Sequence, residues 1–165
     1  MIPVLQTILA DPTRNDGHDA EGRPGNCYQA AIASALELPL DEVPHFATFA
    51  SDWFEQSAPW FRQRGMIRSF YHEQALKDLS WPLYLAPGAD FWGDRVSHIV
   101  GALGAGPSPR GPFRHVVVLD PNTGAMIHDP HPSGAGVVEV DEVELILALD
   151  GGACTCDGYQ EGGAS

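Results

Sequence analysis

Three residues of this sequence have the types and the setting for nucleophilic chemistry: Cys27, His115 and Asp129. Cys27 directly follows Gly25-Asn26 and opens CYQAAIASALEL, an Ala- and Leu-rich stretch that Pro39 stops. The pattern predicts a helix with Asn26 as N-cap and Cys27 in its first turn. Free backbone N–H groups and the positive end of the helix dipole favour thiolate there, and the thiolate is the nucleophile. The N–H of Cys27 itself would face an oxyanion formed when the sulfur attacks a carbonyl. Gln6, closing the opening segment IPVLQT, is the natural second donor.

A cysteine nucleophile needs a base, and the base needs an orienting partner. Of the seven histidines, His115 is the one held by a strong strand pattern, RHVVVLD. A PNTG turn and AMIHD follow, so the segment reads as a β-hairpin whose return strand leads into Asp129. Antiparallel pairing brings the end of one strand beside the start of the other, which predicts Asp129 near His115. Asp120 ends the same strand as His115, too far along it for a hydrogen bond, and Asp129 is preferred. His128, Asp129 and His131 also invite a metal reading. Pro130 and Pro132 stiffen that segment and no second ligand cluster stands near, so neither a metal nor an organic cofactor is expected. No Gly-x-Ser-x-Gly elbow occurs, and GALGAG lacks the spacing of a nucleotide-binding loop.

An opening strand ending in Gln, Gly-Asn-Cys starting an Ala-rich helix, and His-Val-Val-Val starting a hairpin that returns to Asp-Pro together resemble the papain-like cysteine peptidase superfamily. The branch resembled is the bacteriocin-processing, double-glycine peptidase-like one, in its small bacterial and phage-encoded form. GNCYQAAIASALELPLDEVPHF and RHVVV…HDPHPSGAG carry the likeness, over roughly the first 45 residues and about 105 to 137. It implies an α+β, papain-like fold with the nucleophile helix packed on a mostly antiparallel sheet. It further implies Cys27 as nucleophile, His115 as general base, Asp129 as orienter and Gln6 as oxyanion donor. Papain-like enzymes carry the Gln a few residues before the Cys; here the loop from Thr7 to Asn26 must fold back to bring Gln6 alongside. The expected activity is hydrolysis of a peptide or small amide through a thioester. Transfer to an amine on the same residues, as in transglutaminase- or amidase-like relatives, and a non-catalytic binding protein of the same fold are the alternatives.

The elements that must position these residues read as follows. Asp11 to Gly25 is a polar, Gly-containing loop. SDWFEQSAPWFRQRG makes one or two short helices, with Pro59 as a first-turn residue or kink and Gly65 as a stop, and HEQALKDL another. WPLYLAP, VSHIVGALGAG and GVVEV read as strands, and DEVELILAL as a short helix with an acidic start. Residues 1–150 form one domain on this reading, and 151–165 a flexible Gly-rich tail. Gly151-Gly152 follows a short apolar stretch as in double-glycine cleavage sites, which raises self-processing after Gly152 as an expectation beside a plain flexible terminus.

Composition narrows the partners. The 165 residues hold 22 Asp plus Glu against 9 Lys plus Arg, a formal net charge of −13. The basic residues are scattered and include a single lysine, Lys77, so nucleic acid is not an expected partner. No run is long and apolar enough for a membrane span, and the N-terminus lacks the pattern of a secretion signal. The three cysteines do not make a disulfide framework, since Cys154 and Cys156 lie in the tail, and a cytoplasmic protein is expected. The acidic field favours a neutral or basic substrate, with Arg110, in the GPSPRGP loop before His115, as a candidate clamp for a substrate carboxylate. Oligomeric state is left open.

Overall fold

The computed structural model describes residues 1–151 apart from 50, 51, 77–79, 84, 86–88 and 92. The predicted tail, its cleavage after Gly152, and Cys154 and Cys156 lie outside the described residues. The fold is α+β: two main helices, α1 (Cys27–Leu36) and α2 (Trp53–Arg62), accompany an antiparallel sheet, and a one-turn helix α3 spans Glu73–Leu76. The strands are β1 (Met66–His72), β2 (Asp90–Phe91), β3 (Asp94–Pro107), β4 (Arg114–Leu119), β5 (Met126–His128) and β6 (Glu142–Leu149). The main path of the sheet runs β1-β6-β3-β4-β5, with β2 paired to β3 off that path.

Helix α1 forms because alanine loses little entropy on becoming helical, and it packs closely because its side chains are short. Ala30, Ala31, Ile32, Ala33 and Ser34 are all fully buried. A Cβ on Gly101 of β3 would stand 3.1 Å from the Cβ of Ala35, a measure of how near helix and sheet approach. Ala31, Ile32, Leu103, Val118, Ile146 and Phe61 belong to one apolar cluster on that side of the sheet. A second cluster, with Ile67, Val117, Val143, Leu145 and Leu147, covers the other side.

Four expectations are corrected by this arrangement. The opening segment IPVLQT is not a strand. It is held by single bonds: the Val4 N–H to Ser34 Oγ at 2.9 Å, His128 Nε2–H to the Val4 carbonyl at 2.9 Å, and the Gln6 N–H to the Pro130 carbonyl at 2.9 Å. DEVELILAL is not a helix but supplies β6, between β1 and β3. A strand covered on both faces reads as a continuous apolar run, and length alone does not separate such a run from a buried helix. GVVEV is not a strand, because Gly136 turns the chain at φ 67°. It crosses the end of β3 instead, the Val138 N–H bonding the Pro107 carbonyl at 2.9 Å. The described residues of WPLYLAP (Trp81, Pro82, Leu83 and Leu85) are outside any strand, and the others lie outside the described residues. Strand β1 has no counterpart in the sequence reading; its partner along its whole length is β6.

The hairpin of β4 and β5 is present. Its turn is closed by the Asp120 N–H on the Ala125 carbonyl and the Gly124 N–H on the Asp120 carbonyl, both 2.8 Å. Gly124 takes φ 72°, with the Trp81 ring close against it, a conformation and a space that suit only glycine. The Asp120 carboxylate accepts the Asn122 N–H at 2.8 Å and so serves the turn. Helix α2 is a single helix with Pro59 inside it, and Gly65 reverses the chain at φ 70°.

Candidate functional site

Cys27 occupies the first turn of α1, as its neighbours predict, but Asn26 does not cap the helix. The Asn26 side-chain oxygen Oδ1 instead accepts the N–H groups of Thr7 (2.9 Å) and Ile8 (2.8 Å), and its Nδ2 donates to Thr7 Oγ1 and Gln29 Oε1. This buried side chain thereby folds the Thr7-to-Asn26 loop back onto the helix. The first turn keeps its own N–H groups, and those of Cys27 and Tyr28 face the sulfur, joined by the N–H of Val116 from β4. The residue is part exposed at the cleft, whereas its sulfur is drawn away from water. Burial therefore pushes the thiol above its usual range, against the opposing pull of the three N–H groups and the charge of Arg110.

Val116 follows His115, so the sulfur and the imidazole are served by adjacent residues of one strand. His115 is 2% exposed and its Nε2 stands 2.6 Å from Asp129 Oδ1. A carboxylate only accepts, so this bond puts the proton on Nε2 and leaves the Nδ1 lone pair free. Burial lowers the imidazole's pKa, the bond to Asp129 opposes that, and the positive charge of Arg110 adds to it. Asp129 is itself buried, which alone would raise its pKa. Bonds from His115 and from the N–H groups of Gly136 (2.7 Å) and His131 (2.8 Å) outweigh burial and hold it below the usual carboxylate range. The pair at rest is thus a neutral thiol and a neutral imidazole over an ionised carboxylate.

A cleft of about 420 Å³ is lined by Gln6, Gly17, Cys27, Phe113, His115 and His131, among others. Gln6 is buried; its Nε2 donates one hydrogen to the Ile8 carbonyl at 3.3 Å, leaving the second, and its Oε1 has no partner among the described residues. The fold therefore brings Gln6, Cys27 and His115 to one cleft, with Asp129 behind His115. Arg110 is placed differently: it is not among the residues lining this cleft, and its Nη1 reaches Asp129 Oδ2 and Ser133 Oγ, each at 3.4 Å. Sequence reasoning missed the N–H groups of Val116, Gly136 and His131, because any residue carries one and only the fold aims it. His131 is the exception, since its place just past Asp129 was a readable signal. Among the described residues, no group of three or more His, Cys, Asp or Glu side chains is arranged to hold a metal ion. No helix among them is long and apolar enough to cross a membrane.

No family model, no curated protein and no solved structure matches the chain.

Proposed function

We propose that this protein is a cysteine-dependent amide or peptide hydrolase of papain-like type, with Cys27 as nucleophile, His115 as general base, Asp129 as orienter and Gln6 as oxyanion donor. The observation that carries the reading is the buried 2.6 Å bond between His115 Nε2 and Asp129 Oδ1, one residue before the Val116 N–H that faces the Cys27 sulfur. In the proposed reaction His115 Nδ1 takes the thiol proton as the sulfur attacks the carbonyl carbon. The Cys27 N–H and the free hydrogen of Gln6 Nε2 hold the oxyanion. His115 returns the proton to the leaving amine, a thioester remains, and water activated by the same imidazole releases the acid. Both resting partners being neutral, the thiolate arises during attack rather than before it.

The test uses the full chain with Cys154 and Cys156 replaced by Ser, treated with iodoacetamide and followed by intact mass. Cys27 is the expected site of modification, Cys27→Ser removes it, and His115→Ala slows it by at least about tenfold near neutral pH. A peptidyl aminocoumarin panel should be cleaved by the parent and not by Cys27→Ser. An unchanged Cys27 labelling rate in folded His115→Ala would overturn the assignment of the base.

A further inference from the structure

A second cavity, of about 380 Å³, adjoins the cleft of Cys27 and shares Ala47 and Arg114 with it. Its walls include Tyr28 and Val116, the residues that follow Cys27 and His115 in the chain. Tyr28, Trp53 and Phe70 bring three aromatic rings to it, and Glu142 and Glu144 project from β6 into the same space. A cavity lined by aromatic rings and carboxylates suits a long apolar stem ending in a cation, because ring faces and carboxylates both attract positive charge.

Glu144 is the decisive group. Its side chain is only 5% exposed, yet it lines the cavity. Its Oε1 accepts the Tyr28 hydroxyl at 2.8 Å and lies 3.5 Å from Arg68 Nη1, while Oε2 has no hydrogen-bond partner among the described residues. Arg68, 2% exposed, is the ion-pair partner of Glu144 on Oε1 and divides its guanidinium among several groups. Its Nη1 also donates to Tyr28 Oη at 2.8 Å, its Nη2 donates to the Phe54 carbonyl and Ser57 Oγ, and the group lies over the rings of Phe54 and Phe61, so Oε2 is the oxygen left for a second cation. Arg114, which also lines the cavity, is held by both oxygens of Asp141 and lies 3.7 Å from Glu142 Oε2, which His72 Nδ1 approaches at 3.2 Å. Burial and the nearness of Glu142 push the Glu144 carboxyl up to about 7, a cost that an entering cation relieves.

We propose that this cavity is the specificity pocket of the hydrolase, receiving a lysine or arginine side chain next to the bond that is cut. The inference rests on the reading of Cys27 as nucleophile and names the substrate class for that site: peptides basic at the position entering the pocket.

The experiment compares acetyl-dipeptide chloromethyl ketones that differ in one side chain, Lys, norleucine or Glu, placed next to the ketone or one residue before it. Each alkylates Cys27 by forming a carbon–sulfur bond as chloride leaves, the thiol proton passing to His115. Rates are followed by intact mass in the Cys154→Ser/Cys156→Ser protein, with iodoacetamide as the probe that needs no pocket. In one of the two positions the Lys probe is expected to react at least about tenfold faster than the norleucine probe, and the Glu probe slowest. That Lys-to-norleucine ratio should fall toward one in Glu144→Gln, each probe's rate being divided by the variant's own iodoacetamide rate. Should Glu144→Gln fail to fold, the ratio in the parent and in Glu142→Gln decides. Equal rates for all three side chains, or a preference for norleucine over Lys, with brisk iodoacetamide modification overturns this inference alone. Failure of iodoacetamide to modify Cys27 overturns the proposed activity and this inference with it.

Discussion

Arg110 meets Asp129 on the oxygen that His115 does not use: Nη1 stands 3.4 Å from Oδ2, while His115 Nε2 stands 2.6 Å from Oδ1. The arginine side chain is 15% exposed, and its Nε and Nη2 are buried without partners among the described residues. A cation this poorly hydrated exerts its field on everything near it. Its charge pulls the pKa of His115 and that of Cys27 downward together. On the proposed chemistry Arg110 is a positioning and tuning residue: it braces the carboxylate that orients the base.

Replacing Arg110 by Gln should therefore move the whole pH profile upward. The acid limb of Cys27 alkylation follows protonation of His115, and removing a nearby positive charge makes the imidazolium easier to form. Its midpoint then rises toward the ordinary histidine value. The alkaline side rises as well, because the thiolate loses a favourable charge. Iodoacetamide rates measured between pH 4.5 and 9.5 for the parent and Arg110→Gln check this. An acid limb that stays in place or moves down would show that the guanidinium does not act on His115.

Glu144 makes stability depend on pH in an unusual direction. Its carboxyl is pushed up to about 7 in the folded chain from 4.5, so the folded state binds the proton more tightly than the unfolded one. The contribution is fully present below about 4.5 and is lost as pH rises through about 7. His115 and Asp129, both lowered, work the other way. Stability from His115 falls as pH drops below 6.5, and that from Asp129 as pH drops from 3.8 through its lower folded value. Glu144→Gln isolates the first term, since Gln imitates the protonated acid. Its stability relative to the parent should be higher at pH 8 than at pH 4.5, by roughly 1–3 kcal/mol in urea denaturation. Equal differences at the two pH values would count against it.

The nearness of Asp129 to His115 was readable because a hairpin carries its own register. Pro121, Asn122 and Gly124 announce the turn, and pairing of Val118 with His128 sends the chain back past His115. The start of α1 was readable for a similar local reason, since Ala-rich sequence and Pro39 bound it. What could not be read is whatever depends on partners remote in sequence. Asn26 has the type of an N-cap, yet two N–H groups from Thr7 and Ile8 claim its oxygen. β6 carries acids where a helix would want them, yet Glu144 is there to meet Tyr28 and Arg68. A central strand and a buried helix expose the same apolar run to inspection, and only neighbours such as β1 and β3 separate them.

Gly106 lies opposite His115 in the pairing of β3 with β4. A Cβ there would come within 1.8 Å of the Glu139 carbonyl oxygen, a main-chain atom of the segment crossing the end of β3. Gly106→Ala must displace that segment or the strand, and a cost of about 1–3 kcal/mol is expected. Because the displaced backbone borders Gly136, whose N–H holds Asp129 Oδ2, Cys27 alkylation should slow as well. Gly104→Ala is the contrast: the atoms nearest its Cβ, from 2.9 Å, belong to the Leu119 side chain rather than to backbone, and a side chain can shift. Urea denaturation of the two variants should rank Gly106→Ala as the less stable, and the reverse order would refute the argument.

Asn26 links the loop bearing Gln6 to the helix bearing Cys27, and its removal separates structural from chemical effects. Asn26→Ala leaves the Thr7 and Ile8 N–H groups without their acceptor in a part-buried setting, at a cost of about 1–3 kcal/mol. Asn26→Asp keeps an acceptor for both N–H groups and loses only the donation to Thr7 Oγ1 and Gln29 Oε1. It should retain most of the stability. If Gln6 Nε2 is the oxyanion donor, loosening its loop weakens the transition state more than substrate binding. Asn26→Ala, assayed on a cleaved aminocoumarin amide below its melting temperature, should then lose kcat with little change in KM. Gln6→Ala should show the same pattern in a chain whose helix start is intact. A loss confined to KM in both variants would assign Gln6 to substrate binding instead.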